Sequence, residues 1–204
     1  METKNIKLDH KVIFDLVEPG SRVMDLGCGE GDLLALLVEK KGVEAQGIEL
    51  KEESIYKCVE KGLSVFHGDI ESGLGGYPDQ TFDTVILNQS MQEVASVDFI
   101  IAEALRVGRK VIVGFPNFAN IKARIDLFFL GTAPVNESLP YRWYDTPNIH
   151  FLSIRDFVNF CSEKDLSILK AVYLGKERLV RWLPNLFAQN AVFVITSKEK
   201  KPGR

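Results

Sequence analysis

The sequence predicts a doubly wound α/β fold: a mainly parallel, seven-stranded sheet with helices on both faces and an insertion after the fifth strand. Three observations lead there. Apolar runs of strand length recur along the chain, helix-length amphipathic stretches lie between most of them, and glycines stand where those stretches stop. Alternation of this kind argues for right-handed strand–helix–strand crossovers and a parallel sheet.

The first five strands are expected at 22–26, 45–50, 63–67, 81–87 and 110–115. The stretch 32–41 places Leu33, Leu36 and Leu37 on one helical face and stops at Gly42, where glycine can adopt the left-handed conformation that closes a helix. The stretch 52–61 repeats the pattern before Gly62. The link 68–80 is rich in Gly and carries Pro78, so any crossover helix there is short or absent. A helix follows at 98–106, with Phe99, Ala102 and Leu105 or Arg106 at helical spacing.

Beyond Pro116 the character changes. A helical stretch at 121–130 precedes a cluster of aromatics and prolines that includes Pro134, Pro140, Trp143 and Pro147, and 116–152 reads as an insertion over the sheet. Ser153 and Asp156 offer an N-cap and a first-turn carboxylate for a helix to about Lys164. Strands at 166–174 and 191–197 complete the sheet, and 198–204 is expected to be a frayed, charged tail.

With 204 residues, 46% of them hydrophobic, the chain can bury one substantial core, and one domain over 1–204 is expected. A net charge of −3 and a pI near 5.7 supply no basic field for a nucleic-acid backbone. Residues 1–11 lack the apolar stretch of a secretory signal, and no segment is long and apolar enough to span a membrane. Cys28, Cys58 and Cys161 are far apart and without metal or redox spacing, which fits a reducing cytoplasm; no metal site is expected.

The most informative segment is Val23-Met24-Asp25-Leu26-Gly27-Cys28-Gly29-Glu30-Gly31, which runs from a strand into a helix with glycine at alternate positions. Glycine lets a ligand touch backbone. The dinucleotide fingerprint G-x-G-x-x-G is not met, because Asp32 stands where its third glycine belongs, so nicotinamide binding is disfavoured. A carboxylate such as Asp25 at the strand end repels a pyrophosphate but suits a ligand bearing an ammonium and a sulfonium, as S-adenosylmethionine does. Glu49, ending the next strand, can accept from both ribose hydroxyls, and Asp69 after the third strand can accept from the adenine amino group. The expected cofactor contacts are therefore Asp25, Gly27, Cys28, Gly29, Gly31, Glu49 with Leu50, Asp69 with Ile70, and Asn88 and Gln89 after the fourth strand. Each acidic residue has a plainer reading as a helix cap or a solvated strand end. Cys28 needs no role beyond its small size.

Together these positions resemble the class I methyltransferase pattern, over about Ser21 to Phe115. More specific is Phe115-Pro116-Asn117-Phe118 with Leu139-Pro140-Tyr141-Arg142-Trp143-Tyr144-Asp145-Thr146-Pro147-Asn148-Ile149-His150. With these residues the chain resembles the MetW family, named for methionine biosynthesis. The resemblance implies a domain that binds S-adenosylmethionine or S-adenosylhomocysteine and works as an accessory or regulatory partner of homoserine O-acetyltransferase. The alternative is a methyltransferase acting on a small molecule. Methyl transfer is an in-line displacement that needs alignment more than a fixed catalytic residue. Candidates in the insertion are Tyr141, Tyr144, Asp145 and His150, against plainer readings as lid packing, a turn before Thr146-Pro147 and a structural histidine. The aromatic insertion, with Phe128 and Phe129 nearby, suits a protein-binding surface as well as a pocket roof.

Overall fold

The computed structural model describes residues 6–198; the tail from 199 onward and residues 1–5 of the polar N-terminal stretch lie outside it. Strands β1 (Arg22–Leu26), β2 (Glu44–Glu49), β3 (Ser64–His67), β4 (Phe82–Asn88), β5 (Gly108–Pro116), β6 (Leu166–Leu174) and β7 (Asn190–Ser197) form one sheet in the order β3-β2-β1-β4-β5-β7-β6. The first five pair in parallel, and β7 runs antiparallel between β5 and β6. The order reverses between β1 and β4, so the carboxyl ends of these neighbouring strands diverge into a crevice, the usual ligand position of an open α/β sheet.

Because successive strand residues point to opposite faces, the central strands feed two cores. Met24, Leu26, Val85, Leu87, Val113 and Phe115 join the side covered by α4 (Val97–Val107) and α6 (Ile154–Glu163). Val23, Ile86, Ile112 and Val192 join the side covered by α1 (Leu8–Leu16) and α2 (Asp32–Lys41). In the first core Phe157 of α6 packs against Phe115 and Phe193 with ring centroids 5.0 and 4.9 Å away.

Several expectations need correction. Helix α2 has the expected bounds and closes on Gly42 at φ 61°, but it buries Leu33, Leu34 and Leu37 while Leu36 stays half-buried. In α4 the buried positions are Ile100, Ile101, Ala104 and Val107; Phe99 and Ala102 face outward. Both stripes have helical spacing, and the sheet selects the one with more aliphatic surface. Helix α1 was not expected, although Leu8, Val12, Ile13 and Leu16 have the right period; its acidic and basic residues mask the signal. A short α7 (Pro184–Phe187) was also missed. Helix α3 (Glu52–Glu60) has the expected position, and the Gly-rich link holds only a 3-10 turn, Ile70–Ser72.

In the insertion, α5 (Ile121–Ile125) continues as a π-helical segment, Asp126–Leu130, and the Pro-rich run that follows has almost no regular structure. What anchors the insertion is Asn117, fully buried. Its Nδ2 donates to the carbonyls of Ala188 at 2.9 Å and Asn185 at 3.2 Å, and its Oδ1 accepts from the backbone of Ala119 at 3.2 Å and Ile154 at 3.4 Å. Ser153 and Asp156 form the expected reciprocal cap on α6. Asn117→Ala strands several buried polar groups at once, so it should cost about 2–3 kcal/mol in urea unfolding; a loss within about 0.5 kcal/mol, the size of an ordinary surface substitution, would contradict this role.

Candidate functional site

The crevice is built at the turn after β1. The amides of Gly27 and Cys28 both donate to the Ile48 carbonyl, at 2.8 and 3.2 Å, tying the loop to β2. Gly29 and Gly31 both have positive φ, for different reasons. A Cβ on Gly31 would lie 2.5 Å from Leu63 and 2.8 Å from Cys58, whereas one on Gly29 would meet no protein atom within 4 Å and would project into open space. Gly31 therefore serves packing beneath the loop, and Gly29 keeps the cleft floor clear.

Glu49, at the end of β2, is nearly buried. Its Oε2 accepts from the Gly29 amide at 2.8 Å, and its Oε1 accepts from the amides of Leu50 and Lys51 at 3.0 and 2.9 Å. Asp25 is 3% exposed, and its Oδ1 has no partner among the described residues. Burial pushes the Asp25 carboxyl up to about 7, and the Glu49 carboxylate adds to the shift. A buried acceptor held at the edge of ionisation is the mark of a site completed by a donor or a cation from outside.

The cleft has a volume of about 650 Å³. Of the expected cofactor contacts, Asp25, Gly27, Cys28, Gly29, Glu49, Leu50, Asp69, Ile70, Asn88 and Gln89 line it; Gly31 does not. Asp69 Oδ1 also accepts from the Glu71 amide at 2.8 Å, capping the 3-10 turn. Asn88 Nδ2 donates to Asp9 on α1 at 3.0 Å. Burial raises the Cys28 thiol far above its ordinary range, with Asp25 adding, so it is not a nucleophile near neutral pH. Lys7, Asp9 and His10 from the start of α1 and Glu93 after β4 also line the cleft and were missed; recognising α1 from its apolar period would have brought in the first three.

The insertion residues lie elsewhere. Tyr141 borders a neighbouring cavity, and Tyr144, Asp145 and His150 line neither that cavity nor the cleft. Asp145 Oδ1 accepts from the Arg142 amide at 2.6 Å, the turn reading, and exposed Tyr144 meets the Arg142 guanidinium through its hydroxyl at 3.2 Å. His150 Nε2 is buried without a partner among the described residues. Its backbone and that of Ile149 donate to the Gln92 carbonyl at 3.1 and 2.8 Å.

A family model described as "Methionine biosynthesis protein MetW" matches residues 7–195. The chain belongs to the MetW family. A similar protein is the bifunctional methionine biosynthesis protein MetXA/MetW of Rhodopirellula baltica, 32% identical over 200 residues. That match takes in 92% of this chain and 32% of the relative, so the chain spans about a third of the relative's length. The ubiquinone/menaquinone biosynthesis C-methyltransferase UbiE of Teredinibacter turnerae is 27% identical over 133 residues, 58% of this chain and 53% of that one. Among solved structures, an S-adenosylmethionine-dependent methyltransferase from Thermotoga maritima superposes with a TM-score of 0.69 at 19% identity, covering 94% of this chain and 88% of that one. The [4+2]-cyclase SpnF superposes at 0.67 with 15% identity, covering 92% and 80%. These likenesses establish the class I methyltransferase fold and, with a cyclase among them, show that the fold does not dictate one reaction.

The raised Asp25 carboxyl has a measurable consequence. Between the ordinary value of 3.8 and about 7 the folded chain holds a proton that the unfolded chain has released, so stability falls as pH rises through that window. Asp25→Asn removes this dependence. At about pH 8 the variant should exceed the parent by roughly 2–4 kcal/mol in urea unfolding, with a much smaller gap near pH 4; a gap that is the same at both pH values would refute the assignment.

Proposed function

We propose that the cleft binds S-adenosylmethionine or S-adenosylhomocysteine, and that the chain serves methionine biosynthesis as an accessory partner of homoserine O-acetyltransferase. The observation that carries the first part is the unpartnered Oδ1 of buried Asp25 beside the open backbone of Gly29. The fit is chemical. Asp25 offers its free acceptor to a cationic ligand, Glu49 offers its remaining lone pairs to the ribose hydroxyls, and Asp69 with Ile70 offers a polar and an apolar edge to adenine. Three backbone amides already orient the Glu49 carboxylate, so little ordering is left to binding. When bound, S-adenosylmethionine supplies a methyl group made electrophilic by its sulfonium.

The partner reading is supported by the relative whose name joins MetXA and MetW in one chain and by the surface of the insertion. Trp143 is 77% exposed and stacks edge-on with Tyr144, and Phe128, 82% exposed, does the same with Phe129. Exposed aromatic pairs of this size are typical of recognition surfaces. The second reading, methyl transfer to a small molecule, is favoured by one observation: a further cavity opens directly off the cleft.

Replacing Glu49 with Ala should weaken S-adenosylhomocysteine binding about tenfold to a hundredfold, the equivalent of about 1.5–3 kcal/mol for charge-assisted hydrogen bonds; unchanged calorimetric affinity in a folded variant would sink the cofactor assignment. A cationic ligand favours ionised Asp25, so affinity should also fall below about pH 7, by up to about tenfold per unit. Trp143→Ala or Tyr144→Ala should weaken the complex with the acetyltransferase by about 2 kcal/mol while changing cofactor affinity much less. Intact partner binding with lost methylation would instead make the insertion a substrate lid.

A further inference from the structure

The cleft continues past Gln89. Lys7, Asp9, Gln89 and Glu93 border it on one side and on the other border a second cavity of about 520 Å³. The carboxyl end of β5 at Pro116, the end of β6 at Leu174 and the start of β7 at Asn190 supply one wall, and Ser138 and Tyr141 of the insertion supply another. A volume of this order suits a small molecule.

Most charged groups around this cavity are already engaged. Lys176 pairs with Glu137 at 2.7 Å on the outer rim, and the Asp9 carboxylate takes the Asn88 amide and the His10 backbone. Glu93 is different. Its carboxylate, at the junction of cleft and cavity, makes no hydrogen bond or ion pair with any described residue. Burial raises it above the ordinary carboxylate range, with Lys51 opposing and Glu49 reinforcing the shift. Beside it in sequence, Gln92 also lines the cavity and is 3% exposed; its Nε2 is used on the Gln89 carbonyl at 2.8 Å, and its Oε1 is buried with no partner. The unsatisfied groups of Glu93 and Gln92 are thus both acceptors, and one is anionic. The complement is a cationic group rich in N–H donors, which an ammonium provides and a carboxylate or phosphate does not.

We propose that the second cavity binds a small polar primary amine, its ammonium held at the cleft junction by Glu93 and Gln92 Oε1. The amide side chains of Asn148, Gln189 and Asn190 on the cavity wall meet the polar remainder of the molecule. The inference rests on the reading that the adjoining cleft takes the nucleoside cofactor, which leaves this cavity for a second ligand. The amine is then the methyl acceptor if the chain is an enzyme, and a co-ligand if it is an accessory.

The test is calorimetric. The chain saturated with S-adenosylhomocysteine is titrated with a panel of small primary amines, namely amino alcohols, diamines and L-α-amino acids including L-homoserine, each beside its deaminated analogue. We expect at least one amine to bind while its deaminated analogue does not. Glu93→Gln should weaken that amine about tenfold or more, as loss of one charge-assisted contact does, with a much smaller change in S-adenosylhomocysteine affinity. No binding by any amine, equal binding by the deaminated analogue, or indifference to Glu93→Gln overturns the proposal. Competition between amine and S-adenosylhomocysteine also overturns it, since the amine would then be filling the cofactor's own ammonium position. If S-adenosylhomocysteine itself fails to bind, the cofactor reading falls, and the same amine titration on the free chain, read through Glu93→Gln, still decides whether the cavity is an amine site.

Discussion

The site depends on one carboxylate that does backbone work. Glu49 sits where β2 ends, and its two oxygens take the amides of Gly29, Leu50 and Lys51. One of those amides belongs to the loop after β1, so a side chain on one strand fixes the path of the chain leaving its neighbour. Without that bond the left-handed turns at Gly29 and Gly31 would have fewer constraints, and the buried Asp25 would have no fixed opening to face. The cost falls on Asp25: a second carboxylate close to Glu49 and away from water keeps a proton until about neutral pH. Holding the loop and tuning the acid are consequences of the same placement.

Much of this was legible in the sequence because the relevant signals are local. The crossovers, the left-handed stop at Gly42 and the capping pair Ser153 and Asp156 each follow from a few neighbouring residues, and the structure has them. The acidic residues at the ends of β1 and β2 line the cleft for the same reason: strand ends in a parallel sheet converge whatever the loops do. What was not legible needed three-dimensional choice. Leu34 was passed over for Leu36, and Ile100 and Ile101 for Phe99, because two apolar stripes coexist on one helix and only the sheet beneath decides between them. Helix α1 escaped because its charges obscure a good apolar period, and with it went Lys7, Asp9 and His10. The insertion gave its own failure: residue type suggested Tyr144, Asp145 and His150, but an irregular segment has no period from which to read direction.

The two cores explain why the crevice can be open while the sheet is stable. Aliphatic and aromatic side chains fill both faces of β1, β4, β5 and β7, and polar groups gather only beyond their ends. Asn117 makes the transition. It sits immediately after β5, where the apolar strand stops, and uses its side chain on α7, the start of α6 and its own turn. The irregular insertion is thus bolted to regular elements at its root while its aromatic tip stays in solvent, and a recognition surface can vary without disturbing the sheet.

The carbonyl of Gln92 accepts from both Ile149 and His150, and that single oxygen is the seam between the insertion and the loop after β4, whose next residue, Glu93, borders the cleft. A ligand that repositions this loop on binding must change the strain on the Ile149–His150 segment. By thermodynamic reciprocity, a protein docked on the insertion would then alter ligand affinity by the same factor that the ligand alters docking. Two backbone hydrogen bonds would in that case be enough to make a biosynthetic accessory respond to small-molecule supply, with no domain motion and no dedicated regulatory site.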